Sequence, residues 1–276
     1  MDGNQSSIAR SQLYVTIGSA AAPVVLDVRR EEDLEPPNRL IASACRRGRE
    51  VSQKTAAALR AIGFSSVYLE GGIADWVRQG LPTRREIETA SHKWITRERP
   101  KIDRIACPWL IRRFIDPNAR FLYVPTEKVI LLAKELGATP YDIEGVQFTH
   151  EGDRCSFDTI IRIYEIADAP LDHLAKIVRG ADTSRHDLSP QCRGLFAISL
   201  GLSANFPNDH EMLAHGMVMY DALYTWCRSL QAETHNWPAR RRQHDNETLQ
   251  SCNPLAGRPR SAPRCDTLQQ SLSPSV

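Results

Sequence analysis

The apolar positions of this chain change period several times, and each change marks an element. The longest regular stretch covers residues 208–230. There Leu213, Met217, Tyr220, Leu223, Tyr224 and Cys227 recur at three- and four-residue steps, as on one face of a helix. Such a methionine and aromatic stripe reads as core, and Asp221, the acid among them, is expected to face a polar site. Shorter helices are predicted over residues 126–136, with Val129, Ile130, Ala133 and Leu136 on one side, and over 156–166, with Phe157, Ile160, Ile161 and Tyr164. Another begins near Pro170 and carries Leu171, Leu174, Ile177 and Val178. The next starts after Ser189 with Leu195, Ile198 and Leu202 inward.

The first eighty residues alternate differently. A short helix up to Gly18 carries Ile8, Leu13 and Ile17. PVVLDVR (23–29) is an apolar run of strand length, as in a strand buried on both faces. REEDLEPPN (30–38) is too rich in proline and charge for a regular element. Ser52 is expected to cap a helix ended by Gly63. Val67 to Leu69 form a strand, and Gly71 and Gly72 turn into a short helix with Ile73, Trp76 and Val77. Residues 85–98 are mostly charged and polar, with Trp94 and Ile95 the one apolar pair, and read as a linker with room for one short strand. ARFLYVP (119–125) and VQFTH (146–150) read as strands.

One segment, KIDRIACPWLIRRFID (101–116), concentrates charge, a thiol and a buried face. Proline favours the first helical position, so a helix is predicted from Pro108, with Cys107 at its N-terminal edge. That position stabilises a thiolate. A buried structural cysteine is the competing reading.

Composition adds limits. The chain has 276 residues, 42% hydrophobic and 25% charged, with a formal net charge of +2. Six arginines against three acids in residues 238–276 make that tail +3, which leaves −1 for residues 1–237. The folded part is therefore not a basic nucleic-acid module, and a nucleic-acid partner is disfavoured. The tail has no apolar period and is predicted to be disordered. No apolar run reaches membrane-spanning length, and the first residues lack a signal-peptide pattern. A cytoplasmic protein with no membrane partner is expected. The seven cysteines, none spaced C-x-x-C, read as reduced thiols.

Two segments have the residue types of chemical sites. CRRGREVS (45–52) places Cys45 in a loop that wraps into a helix. Backbone N–H groups there can hold an anion or a thiolate, with Arg46, Arg47 and Arg49 around Gly48 and Ser52 closing the loop. HEGDRCSFD (150–158) puts histidine, cysteine and carboxylates within nine residues, and a divalent transition metal on His150, Cys155 and Asp182 is a candidate cofactor. A solvated loop before a helix is the alternative.

DVR (27–29), CRRGREVS and LEGGIADWVRQGLP (69–82) resemble the single-domain rhodanese family of sulfurtransferases. The resemblance implies an α/β fold, Cys45 as a persulfide-carrying nucleophile, residues 46–52 as its anion loop, and a sulfur donor as partner. Only fifteen residues separate Arg29 from Cys45, fewer than the family pattern, and NRLIASA (38–44) is a poor central strand. The domain is therefore read as shortened, and any enzyme activity as impaired.

KIDRIACPWLIRRFID, THEGDRCSFD, KIVRGADTSR, MYDALYTWC and ETHNW together resemble the C-terminal domain of the ChrB chromate-resistance family. The expected organisation is a shortened α/β rhodanese-like domain over 1–84, a linker over 85–98, a mainly α, α+β domain with few strands over 99–237, and the tail. The resemblance implies a chromate-resistance accessory or sensor binding chromate, another small oxyanion or a metal. The alternatives are sulfur transfer through Cys45 and a chromate-responsive regulator. Asp103, Arg104, Cys107, His150, Cys155, Asp182 and His235 are the polar residues inside the matching motifs, and several are expected to share one pocket.

Overall fold

The computed structural model describes residues 6–19, 22–27, 41–85, 87 and 91–233. Arg29, the stretch 30–38, His235 and the tail 238–276 lie outside the described residues. Met1–Ala232 make one compact unit.

Its first sheet has four parallel strands in the order β1-β4-β3-β2. These are β1 (Ser7–Ile8), β2 (Val24–Asp27), β3 (Ile41–Ala44) and β4 (Ser66–Leu69). Three helices accompany them, α1 (Arg10–Thr16), α2 (Glu50–Ala61) and α3 (Gly72–Arg78). Two expectations change here. β2 is an edge strand rather than one buried on both faces, and Val25 is 44% exposed. The weak-looking NRLIASA supplies β3, an interior strand leading straight into Cys45. It can do so because its residues are small: Ala42, Ser43 and Ala44 are fully buried, and the Ser43 hydroxyl donates to the Ser52 carbonyl at 2.8 Å. Close approach of α2, rather than bulky side chains, fills the space.

The second sheet is also parallel, in the order β6-β5-β7. It consists of β5 (Lys93–Arg97), β6 (Arg120–Val124) and β7 (Thr139–Pro140). β5 lies inside the stretch read as linker and is the middle strand. Trp94, Ile95 and Thr96 are fully buried. Trp94 joins the helical core, while Ile95 packs with Val129 and Ala133 of α5 (Val129–Leu136) on the opposite face. A strand covered on both faces needs no alternation, so two apolar residues suffice. VQFTH makes no strand. Its Phe148 forms only an isolated bridge to Tyr141. With parallel strands joined by helices, this half is mixed α/β rather than α+β.

Five helices complete the unit: α4 (Asp103–Leu110), α6 (Ser156–Ile163), α7 (Ala169–Asp182), α8 (Gln191–Asn205) and α9 (Asp209–Ser229). Trp109 is fully buried at their centre, with the rings of Phe114, Phe157, Tyr220 and Tyr224 5.4–6.4 Å away. Asp221, partly exposed at the edge of this core, braces it instead of facing the polar segments. It accepts from Trp109 Nε1 and from Arg113 Nε and Nη2, all at 2.8 Å. Ile198 of α8, expected inward, is 54% exposed.

α4 starts at Asp103, not at Pro108, so Cys107 lies inside the helix instead of at its edge. Pro108 is the sixth residue of α4, so it removes the bond to the Arg104 carbonyl and crowds that carbonyl inside the helix. A π turn, Ile111–Ile115, follows directly. Among the described residues no helix is long and apolar enough to cross a membrane.

Candidate functional site

Asp103 opens α4, and its carboxylate serves a different helix. Oδ2 accepts from the Ser156 backbone N–H at 2.8 Å and Oδ1 from that of Phe157 at 3.0 Å. Both belong to the first turn of α6, where unpaired N–H groups and the helix dipole favour an anion. The Cys107 thiol donates to Oδ1 at 3.1 Å. Asp103 is thereby fixed at 1% exposure. Ile102, just before it, has φ 33°, unusual for a β-branched residue, and the Tyr220 hydroxyl holds its carbonyl at 2.9 Å.

Three further side chains converge on this carboxylate. His150 Nε2 lies 3.4 Å from Asp103 Oδ2, 3.4 Å from Asp142 Oδ1 and 3.3 Å from Asp182 Oδ2. Asp182 is the last residue of α7. Asp142 sits in the turn after β7 with φ 49°, a conformation aspartate tolerates. It also accepts from the Ser156 hydroxyl at 2.8 Å and pairs with Arg97 at 3.2 Å and Arg104 at 3.3 Å.

The electrostatics follow from burial and crowding. Burial pushes the Asp103 carboxyl up to about 6. The His150 hydrogen bond opposes this, and the charges of Asp142 and Asp182 add to it. Hydrogen bonds to Asp103, Asp142 and Asp182 push His150 up to about 12 against its partial burial. Asp142 is also penalised by burial, but His150, Ser156, Arg104 and Arg97 outweigh that and hold it below the usual carboxylate range.

One imidazole N–H can be aimed at a single acceptor, yet three stand at nearly equal distance. None is as close as the 2.7–2.9 Å of a good charged hydrogen bond (about that range). The spacing suits a cation better. Ligand atoms about 2.1 Å from a central ion at tetrahedral angles lie about 3.4 Å apart. Ligating atoms of Asp103, His150 and Asp182 all lie within 4.8 Å of one another. One imidazole with carboxylate oxygens fits a divalent first-row metal.

Of the residues singled out in the sequence, Asp103, His150 and Asp182 meet, and Arg104 reaches them through Asp142. Cys107 abuts Asp103, but burial raises its thiol well above the ordinary range. Cys155 is raised likewise. It precedes α6, where its thiol donates to Asp158 at 3.4 Å rather than joining His150 and Asp182. Asp142 was missed. Its only sequence signal is an aspartate in the turn ATPYDIEG, two residues beyond a proline.

The Cys45 loop forms a second constellation. Cys45 Sγ and Ser52 Oγ lie 3.2 Å apart, and the Ser52 hydroxyl donates to the Arg49 carbonyl at 3.1 Å. Ser52 is inside α2 rather than at its cap. Burial disfavours the thiolate, but the Ser52 hydroxyl and the backbone N–H groups of Ser52, Arg47 and Arg49 overcome it and bring the thiol down to about 7. The side chains of Arg46, Arg47 and Arg49 are exposed. Gly48, with φ 64°, packs so closely on Gly71 and Gly72 that a Cβ there would strike their backbone. The first turn of α3 ties the loop down, with Ile73 and Ala74 N–H donating to the carbonyls of Cys45 and Arg46 at 3.0 and 2.9 Å.

Comparison with known proteins gives three findings. Residues 94–227 match the family described as ChrB, C-terminal domain. The chain is similar to Protein ChrB of Cupriavidus metallidurans, at 32% identity over 160 residues, covering 58% of this chain and 48% of that protein. It thus spans about half the length of this curated relative. No solved structure matches.

Proposed function

We propose that this chain, whose residues 94–227 match the ChrB C-terminal domain family, is a chromate-resistance-related protein that works by holding a divalent cation on Asp103, His150 and Asp182, with Asp142 beside them. The link to chromate rests on the family resemblance. The observation that carries the cation is the near-equal separation of His150 Nε2 from three carboxylates, at 3.3–3.4 Å. Three carboxylates repel a dianion such as chromate, so an oxyanion is not the direct ligand of these side chains. Calorimetry of the full chain with Mn(II) and Zn(II) tests the reading, with His150→Ala as control. Tight binding by the wild type and a loss of about 100-fold or more in the variant is expected. Equal heats for the two proteins would remove it.

A second reading is favoured by the Cys45 loop. A thiol brought to about 7 inside a ring of backbone N–H groups suits attack on a sulfur donor. In that step the Cys45 thiolate takes the outer sulfur of thiosulfate and releases sulfite. Cyanide then removes the sulfur as thiocyanate and restores the thiolate. Thiocyanate formation that is unchanged in Cys45→Ser would exclude it.

A further inference from the structure

The carboxylate cluster and two arginines beside it suggest what a bound cation would be for. Asp103 lies at the bottom, at 1% exposure, whereas the side chains of Asp182 and His150 are 20% and 42% exposed. An ion held by Asp103, His150 and Asp182 would face solvent on the His150 side, and with three protein ligands it would keep an open position. A closed structural site would not.

Arg97 and Arg104 stand on the same cluster. Each touches Asp142 Oδ2 through one nitrogen, Arg97 Nη2 at 3.2 Å and Arg104 Nε at 3.3 Å. Neither makes the two-point contact that a guanidinium fork makes with a carboxylate or another oxyanion. Arg97 Nε is buried without a hydrogen-bond partner, which is costly unless something else accepts from it. The charges give the condition for such an acceptor. Arg97 and Arg104 bring two positive charges against the three carboxylates of Asp103, Asp142 and Asp182, so the side chains alone have no positive excess to offer an anion. A divalent ion held on the cluster would leave one positive charge in excess. A bound metal ion then dominates the local potential and inverts it.

We propose that the cluster is a metal-dependent oxyanion site: a small tetrahedral oxyanion takes an open position on the cation held by Asp103, His150 and Asp182, and Arg97 and Arg104 hold its remaining oxygens. The proposal rests on the cation reading above and adds the ligand class and two binding residues.

The test uses the full chain and molybdate, a tetrahedral dianion that does not consume thiols. Calorimetry measures molybdate binding to the Mn(II)-loaded and the chelator-treated protein, and electron paramagnetic resonance follows the Mn(II) signal. The expected result is binding to the loaded protein alone, with a changed Mn(II) spectrum. Arg97→Gln and Arg104→Gln, each compared at saturating Mn(II), should weaken molybdate about tenfold, the effect of one charged hydrogen bond. Arg97 is the more exposed of the two, so its variant remains informative if Arg104→Gln unfolds. Mn(II) binding without molybdate binding would overturn the proposal and leave the cation reading standing. Equal molybdate binding with and without metal would overturn it as well. Absence of Mn(II) binding would end both.

Discussion

Tyr14 and Tyr224 meet on one carboxylate: their hydroxyls donate to Asp168 Oδ1 at 2.9 Å and Oδ2 at 2.8 Å. Asp168 also accepts from the Leu171 N–H at 3.1 Å and so caps α7. Arg228 reinforces the junction by donating to the carbonyls of Tyr14, Val15 and Ile17. Helices from opposite ends of the described chain are thus tied to the start of α7. Burial, with Asp168 adding to it, raises the Tyr14 phenol to about 12, so both partners stay in donor form at neutral pH. Asp168→Ala leaves two hydroxyls unpaired and α7 uncapped, and should cost about 2–4 kcal/mol in urea denaturation. Tyr14→Phe leaves the other donors in place and should cost about 1 kcal/mol. Equal costs for the two variants would contradict this ordering.

The thiols should separate cleanly by reactivity. Cys45 is brought down to about 7, whereas Cys107 and Cys155 are pushed well up by burial. Iodoacetamide followed by peptide mapping should label Cys45 first, with a rate midpoint near pH 7, and leave the other two unlabelled in the native state. Ser52→Ala removes the one side-chain hydrogen bond to the thiolate and should shift the midpoint upward. A midpoint unmoved by that change would assign the shift to the backbone N–H groups alone.

Cation binding should depend on pH in a definite direction. His150 is raised to about 12, so at neutral pH an incoming ion must displace its proton. Affinity therefore rises with pH, by about tenfold per unit for one displaced proton, between about pH 6.5 and 8.5. In chelator the sign is opposite for the fold. A histidine raised by its partners contributes stability in full below its unfolded value of about 6.5, and loses it as pH climbs towards 12. Calorimetry in buffers of different ionisation heat reads the proton release, and pH-independent affinity would speak against His150 as a ligand.

Two glycines give opposite expectations. A Cβ on Gly216 would run into Ile105 Cγ2, where α9 crosses α4 two residues past Asp103. Gly216→Ala should cost about 1–3 kcal/mol and weaken Mn(II) binding by shifting Asp103. Gly201, inside α8, has nothing within 4 Å of its added Cβ. Gly201→Ala should be neutral or stabilise by up to about 1 kcal/mol. Both would be measured by urea denaturation, and a destabilised Gly201→Ala would mean that the open space is not real.

How far the sequence carried the reading depended on whether local chemistry or tertiary context set each position. α9 was legible from its spacing, because its apolar face is continuous and its cap, Asn208, precedes it. The start of α4 was not, because Pro108 carried a strong local signal that Asp103 overrode by docking on α6. β3 escaped, and β5 was legible only as one short strand within a linker, for a related reason. Strands buried by small residues, or on both faces, lack the alternation that marks a surface strand. In the site, His150 and Asp182 stood out as residue types, while Asp142 is defined only by where its turn is carried.

His150 and the groups around it come from four separate places: the loop before α6, the start of α4, the turn after β7 and the end of α7. The contact between Asp103 and Ser156 alone spans 53 residues of chain. No short fragment can contain such a centre, and it comes into being only when these segments have docked. An ion bound there acts as a cross-link between distant parts of the chain. It would add RT ln(1 + [L]/Kd) to the fold, about 2.7 kcal/mol at a hundredfold excess over Kd. The metal supply of the cell would then set how long this half of the molecule stays folded.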